Sequence, residues 1–464
     1  MNKIITVPVN DVKLENRFNP KYFHFYESKK EMKKSSKLKF EEFGNKEYIN
    51  VLSDGIHSAV TLQKEGEIKY LYVKNITEGF IDTTDNIYLA PSDLMKNLSK
   101  KLEPKDVLLT VVGRLGESAM ISDYMKGIIS LPRNIAFMKT NSNLLKPEFL
   151  TCFLLSRFAK EQSIMSGGGN IQGLLSLTKL KKFIFPVPSM EVQKRFADMY
   201  NETLHYQNEI LQNIESAKRL LRDTLSNVRN TSDNKLGYSV DINEIKENSI
   251  WTPTLYNKNT SQLLENYKNN FETFTIQELS ESIKKGNEVG SINYKDYLSK
   301  GKEDIPFIRT SDIQNYEISS FPSYYVNYDL RDELNQDFHT GDIIVNNDGR
   351  IGYTAIITSK DEGVFQSHVH RIRLRNDYKH LRNYIYICLL CEDIGGVQFE
   401  KNTVVQTTIP TLASRLKNFV IPIVDSETIT IINEKVEASL KAIVLKHNKI
   451  KQIKKEINEL LAYD

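Results

Sequence analysis

Cysteine is scarce in this chain: Cys152, Cys388 and Cys391 are the three among 464 residues. Three thiols do not build a disulfide framework, and they fit a reducing compartment. No run of 18 apolar residues occurs, which argues against a membrane-spanning helix. The opening stretch MNKIITVPVNDVKLENRF lacks the long apolar core of a secretion signal, so a cytoplasmic location is expected. No G-x-x-x-x-G-K-[ST] is present, which excludes a P-loop motor. An excess of one charge sign is also missing, with 62 Lys and Arg against 59 Asp and Glu. That balance neither announces nor excludes a nucleic-acid partner, because a local patch matters more than a total.

What remains is ordinary globular composition, 40% hydrophobic and 26% charged, in a chain long enough for two or more domains. One stretch stands out. Neither Pro nor Gly occurs from Glu191 to Arg229. Its apolar positions (Val192, Phe196, Met199, Tyr206, Ile210, Ile214, Ala217, Leu221, Leu225, Val228) fall at gaps of three and four, broken once at Thr203. Such a heptad seam predicts one helix of roughly 55–60 Å at 1.5 Å per residue.

Before it, β-type runs appear at Tyr70–Val73 and Val107–Val112, the latter entering the turn Gly113-Arg114-Leu115-Gly116. A helix is expected from Pro147 to Ser163, a flexible break at Gly167-Gly168-Gly169, and an extended exit at Phe183–Pro188. From Asn230 to Asn248 the chain reads as a linker. The same order then returns. Trp251–Tyr256 echoes Phe18–Phe23, and Phe307–Ile313 echoes Leu71–Ile76 with one residue inserted. The segment DVLLTVVGRLGESAMIS (Asp106–Ser122) aligns without a gap on DIIVNNDGRIGYTAIIT (Asp342–Thr358). Phe183–Pro186 falls on Phe419–Pro422 at the same offset. A second long helix is expected over Glu427–Leu461, with Ile429, Ile432, Val436, Leu440, Ile443, Ile450, Ile453, Ile457 and Leu460 as its seam.

An internal repeat outranks any local motif. The expected fold is α+β, a tandem repeat of two globular domains, each followed by a long helix. The domains span 1–188 and 231–424 (with a linker over 231–248), and the helices span 189–230 and 425–464. Pairing the two seams as an antiparallel coiled coil would bury both.

These features together resemble the specificity subunit of type I restriction–modification systems. The Gly-Arg-hydrophobic-Gly turn at 113–116 and 349–352 carries the likeness. So do Phe185-Pro186-Val187-Pro188 leading into Glu191-Val192-Gln193, and Asp54-Gly55-Ile56-His57 before Tyr70-Leu71. The second half departs from the pattern. Its exit, Ile421–Glu427, lacks the second Pro and the Gln, and no counterpart of Asp54–His57 is visible there. The resemblance implies two target-recognition domains, each reading half of a bipartite target in double-stranded DNA. It implies helices that set the spacer and dock two methyltransferase subunits, with restriction subunits as further partners. It also implies no catalysis, no metal and no cofactor on this chain, S-adenosylmethionine and ATP being held by the partners. The alternatives are a two-domain adaptor that does not bind DNA, and the recognition half of an enzyme with its own activity.

Catalytic motifs are sparse. Asn19-Pro20-Lys21-Tyr22 lacks the second Pro of an adenine-methyltransferase motif and follows no cofactor domain. Cys388-x-x-Cys391, with His368 and His370 nearby in sequence, suggests zinc, but it sits in an apolar run better read as a buried helix face. DNA contacts should come from Arg, Lys, Asn, Gln, Ser and Tyr on loops of each domain. Arg114 and Arg350 are equivalent by repeat and suit a shared turn. Positions that differ between halves suit base readout: Lys74 and Asn75, Arg133 and Asn134, Arg309 and Ser311, Asn346 and Asn347. Lys441, Lys446, Lys449, Lys451, Lys454 and Lys455 form either a solvated helix face or a patch that attracts DNA or a partner.

Overall fold

The computed structural model describes residues 20–167, 173–228, 239–248, 251–288, 304–314, 316–322, 324–327, 333–334, 336–405 and 409–463. Phe18, Asn19, Gly168, Gly169 and Arg229, to which expectations were attached, lie outside them. The backbone divides into two compact units, Met1–His205 with Asn448–Asp464, and Tyr206–His447.

In the first unit, helix α1 (Pro20–Ser35) precedes strands β1 (Lys39–Glu42) and β2 (Ile49–Asp54). Strands β3 (Val107–Thr110), β4 (Ser118–Met120) and β5 (Ile135–Thr140) follow. They form an antiparallel sheet in the order β2-β5-β3-β4. All four residues of β3 are buried, as a central strand covered on both faces requires. The expected helix at Pro147–Ser163 is instead two, α2 (Pro147–Leu154) and α3 (Arg157–Ser166). Ser156 causes the break. Its backbone is extended, and its hydroxyl accepts the Ala159 N–H at 3.1 Å, capping the second helix. The exit strand β6 (Ile184–Val187) pairs back onto β1.

Helix α4 (Met190–Thr224) then runs without interruption, closing in a 3-10 turn at Ser226–Val228. The linker is not wholly irregular, since Ile242–Asn248 is helical.

The second unit has strands β7 (Glu272–Thr275), β8 (Ser280–Lys285), β9 (Ile343–Asn346), β10 (Thr354–Ile356), β11 (Val369–Leu374) and β12 (Val420–Ile423). Its four-stranded sheet has the order β8-β11-β9-β10, and β12 pairs with β7. Helix α5 (Arg382–Leu390) follows the sheet, and α6 (Ser426–Leu461) follows β12. Among the described residues, no helix is long and apolar enough to cross a membrane.

Both long helices bury their seams. In the second unit, Ile210, Ile214, Leu221 and Leu225 of α4 share one core with Ile432, Val436 and Ile443 of α6, and Tyr206 and Leu440 pack partly buried against it. In the first unit Phe196, Met199, Ile450, Ile453 and Ile457 are buried. There Arg195 meets Glu456 at 3.3 Å and Glu202 meets Lys449 at 2.9 Å, so the two segments run in opposite directions. Each isoleucine removed from water contributes about 1.5–3 kcal/mol.

The lysine series on α6 is not uniformly solvated. Lys446 is buried, and its ammonium donates to Gln207 and to Glu317. Lys455 stays exposed, 3.8 Å from Glu459. All three cysteines are buried, and burial pushes their thiols up. Cys388 sits in α5 and Cys391 just beyond it, inside the core, whereas His368 immediately precedes β11 and His370 is its second residue. Among the described residues, no cluster of His, Cys, Asp and Glu is placed to hold a metal.

Candidate nucleic-acid interface

Each unit's antiparallel four-stranded sheet has one end at which its glycine hairpin turn and two neighbouring loops lie. In the first unit these are the residues after β2, the turn from β3 to β4, and the loop leading into β5. The β3–β4 turn needs glycine: Gly113 has φ 79° and Gly116 has φ 78°. Between them, the Arg114 guanidinium donates to the carbonyls of Ile76 at 2.7 Å and Val73 at 3.4 Å. That bond draws the short 3-10 turn Val73–Asn75 to the same edge. Gly55 is pressed against the backbone of Leu131, where an added Cβ would lie 2.0 Å from the carbonyl oxygen.

Three backbone hydrogen bonds then fix the loop Pro132-Arg133-Asn134. Arg133 N donates to Ile56 O at 3.0 Å, Ile135 N to Pro132 O at 3.2 Å, and Val111 N to Asn134 O at 2.9 Å. Beside the loop, His57 lies 2.9 Å from Asp54.

The second unit repeats this frame with other side chains. Gly349 (φ 70°) and Gly352 (φ 85°) make the β9–β10 turn. Gly286 is pressed against the backbone of Phe365, an added Cβ lying 2.1 Å from that oxygen. This corrects the expectation that the second half lacks a counterpart of Asp54–His57. Lys285-Gly286-Asn287-Glu288 is the counterpart, with only the glycine in common. Gln366-Ser367-His368 leads into β11, held by Val369 N to Gln366 O at 2.9 Å and Asn347 N to His368 O at 3.0 Å. Ser367 donates to Glu288 at 3.1 Å, and His368 sits 2.7 Å from Asp348. His370, the next residue but one, is held below its ordinary pKa by burial.

The 3-10 turns match as well. Asn75 accepts from Tyr72 N at 2.8 Å, and Asp312 accepts from Arg309 N at 2.8 Å. Tyr70 thus falls on Phe307, and the inserted residue expected in that alignment is not needed.

The sequence candidates separate by what their side chains already do. Asn75 is buried, and its amide donates to Asp82 O at 3.0 Å. Asn346 and Asn347 are buried too; Asn346 donates to Thr310 O at 2.9 Å and Asn347 reaches Asp348 at 3.4 Å. All three donate within the frame, while Oδ1 of Asn346 and of Asn347 is buried without a hydrogen-bond partner among the described residues. Lys74 is ion-paired with Asp85 on the surface. The Arg309 guanidinium lies 3.7 Å from the Tyr324 ring centre, and the Arg350 guanidinium 4.0 Å from that of Tyr353. Ser311 is half-buried, its carbonyl accepting from Gln314 at 3.0 Å. Asn134 is half-buried as well. Lys74 and Arg133 are the exposed ones among these candidates, and Arg133, unlike Lys74, makes no side-chain polar contact with any described residue.

Glu288, Ser367 and His368 were missed as parts of this edge. The sequence signal was Gly286, a lone glycine at the end of a β-type run, which marks a close backbone approach.

Residues 268–455 match the family model described as the type I restriction modification DNA specificity domain. No curated protein matches significantly. Among solved structures, the chain is similar to the S subunit of a type I restriction–modification system from M. genitalium. That match has 14% identity, 92% of this chain, 94% of that one and a TM-score of 0.33. It is also similar to the HsdS subunit from Thermoanaerobacter tengcongensis, at 14% identity over 91% of this chain and 95% of that one, with a TM-score of 0.29.

Proposed function

Because residues 268–455 belong to the type I restriction modification DNA specificity family, we propose that this chain is the sequence-reading subunit of such a system. It carries a duplicated pair of target-recognition domains, residues 1–188 and 231–424. Each reads one half of a bipartite site in double-stranded DNA with the loop end of its four-stranded sheet. The long helices pair as an antiparallel coiled coil, set the spacer and dock two methyltransferase subunits, with restriction subunits joining in turn. The chain itself is non-catalytic and acts in the cytoplasm. S-adenosylmethionine and ATP are bound by the partners.

The observation that carries this reading is the family match over the second unit. It is supported by the first unit, whose sheet order and glycine turns are the same. The α4 and α6 segments that run in opposite directions support the helix pair.

The test is selection of sequences from a randomised duplex pool by the full chain. The expected product is two short half-sites at a fixed gap, with binding that weakens steeply as salt rises. Four residues inserted after His205 and four after His447, where the compact units meet in sequence, should lengthen the gap by about two base pairs. That is about 6 Å of helix against 3.4 Å per base pair. An unchanged gap would sink the spacer role. Failure of the unaltered chain to enrich any sequence would favour a protein-binding adaptor.

A further inference from the structure

We propose that the three-residue loop leading into the second strand of each four-stranded sheet is the base-reading element, and that Arg133 takes a guanine in the half-site of the first unit. This rests on the DNA-reading function above and narrows it to one side chain.

Three observations converge on the loop. Its backbone is fixed by main-chain hydrogen bonds, and the second unit repeats two of the three at the same places, Val369 N to Gln366 O and Asn347 N to His368 O. A frame made of main-chain bonds presents a side chain in a defined direction whatever that side chain is. Next, the chemistry differs between the units where the frame does not. Arg133 stands where Ser367 stands, and Asn134 where His368 stands. Two domains that read different half-sites need that combination. Lastly, the other candidates on the first unit's edge are engaged: Asn75 in the 3-10 turn, Arg114 with two carbonyls, Lys74 with Asp85, His57 with Asp54.

Arg133 is exposed and has no polar partner among the described residues. Its planar fork of donors matches O6 and N7 of guanine in the major groove, where each bidentate pair discriminates by about 1–3 kcal/mol, or roughly 5- to 150-fold. In the second unit the same place carries a hydroxyl bound to Glu288 and an imidazole bound to Asp348. Neither supplies that fork, so a guanine is not required at the matching base of the other half-site.

The same duplex selection tests this with the full chain carrying Arg133→Ala, Arg133→Lys, or the first loop replaced by Gln-Ser-His. Both point variants should still yield two half-sites at the original gap, with one guanine of one half-site relaxed at least about fivefold. The lysine variant should bind duplex more tightly than the alanine one, because it keeps a cation near phosphate but loses the fork. The loop replacement should change the preferred base at that position and leave the other half-site as it was. Unaltered sequence preference in all three variants, with the wild-type chain still selective, overturns the assignment of Arg133 while leaving the DNA-reading function standing. Uniformly weaker binding with an unchanged target would make Arg133 a phosphate contact and also overturn it. A wild-type chain that selects nothing overturns both. Thermal melting of each variant within a degree or two of wild type is expected for an exposed side chain and guards against misfolding.

Discussion

The strand that lies second in each sheet is built on opposite principles in the two units. Strand β5 of the first buries Phe137 among Leu71, Ile76, Leu108 and Ile135. Strand β11 of the second buries Arg371 at the equivalent place, with no exposed surface. Its guanidinium donates to Ser282 at 2.8 Å and lies 3.7 Å from Asp342 and 3.8 Å from Asp337. Two residues on, Lys139 of the first unit lies 3.2 Å from Asp106, and Arg373 of the second forks onto both Asp337 and Asp342. One backbone thus accepts either an apolar or an ionic filling. The difference teaches that the ladder sets the sheet, while the filling is a local matter that must be internally matched.

The largest effect should come from moving the charge without its partners. Phe137→Arg would bury a cation beside Lys139 and no second carboxylate, at a cost of about 4 kcal/mol. The reverse change, Arg371→Met, leaves Arg373 to neutralise both carboxylates and should cost no more than about 2 kcal/mol. Hydrogen-exchange protection of β3 and β9 would report the two units separately, and equal losses would break the comparison.

Acid should separate the units next. The Arg373 hydrogen bond holds Asp337 down at about 2, so its contribution is present above the ordinary carboxylate range near pH 4 and is lost as pH falls to about 2. Burial raises Asp106, so ionising it opposes folding, and the first unit gains stability as pH falls through that raised value. Melting curves from pH 6 to 2 should therefore show Asp337→Asn converging on wild type toward pH 2. They should show Asp106→Asn removing a gain that appears at higher pH. Parallel curves for both variants would contradict the assignment.

The smallest effect should lie in the turns. Arg114→Ala removes donors to two carbonyls and should cost about 1–2 kcal/mol. Arg350→Ala removes a guanidinium stacked on Tyr353, worth about 0.5–1 kcal/mol. Urea midpoints resolve that ordering.

How much of this was legible depended on where the information sits. The turns at 113–116 and 349–352 could be aligned by eye because a positive φ demands glycine there. The long helices could be read because a seam of thirty-odd residues repeats its own period. Gly286 escaped because the offset from Gly55 is 286 − 55 = 231, not the 236 of the hairpins, so a gap-free alignment passes it by. The break before α3 escaped because Ser156 sits inside an apolar run, where only its extended backbone reveals a cap. The burial of Asn75, Asn346 and Asn347 could not be read because residue type says nothing of burial. The loop at Arg133 is defined by main-chain bonds, which leave no trace in side-chain identity.

That last property has an evolutionary side. Main-chain hydrogen bonds are indifferent to the residues that make them, so the loops at Arg133 and Ser367 can exchange side chains without renegotiating the fold. On the proposed reading, a new target would require a few codons in one half of the gene, leaving the other half and both long helices as they are. Gly55 and Gly286, each wedged against a carbonyl, bear the opposite burden. A side chain at either position would displace that backbone.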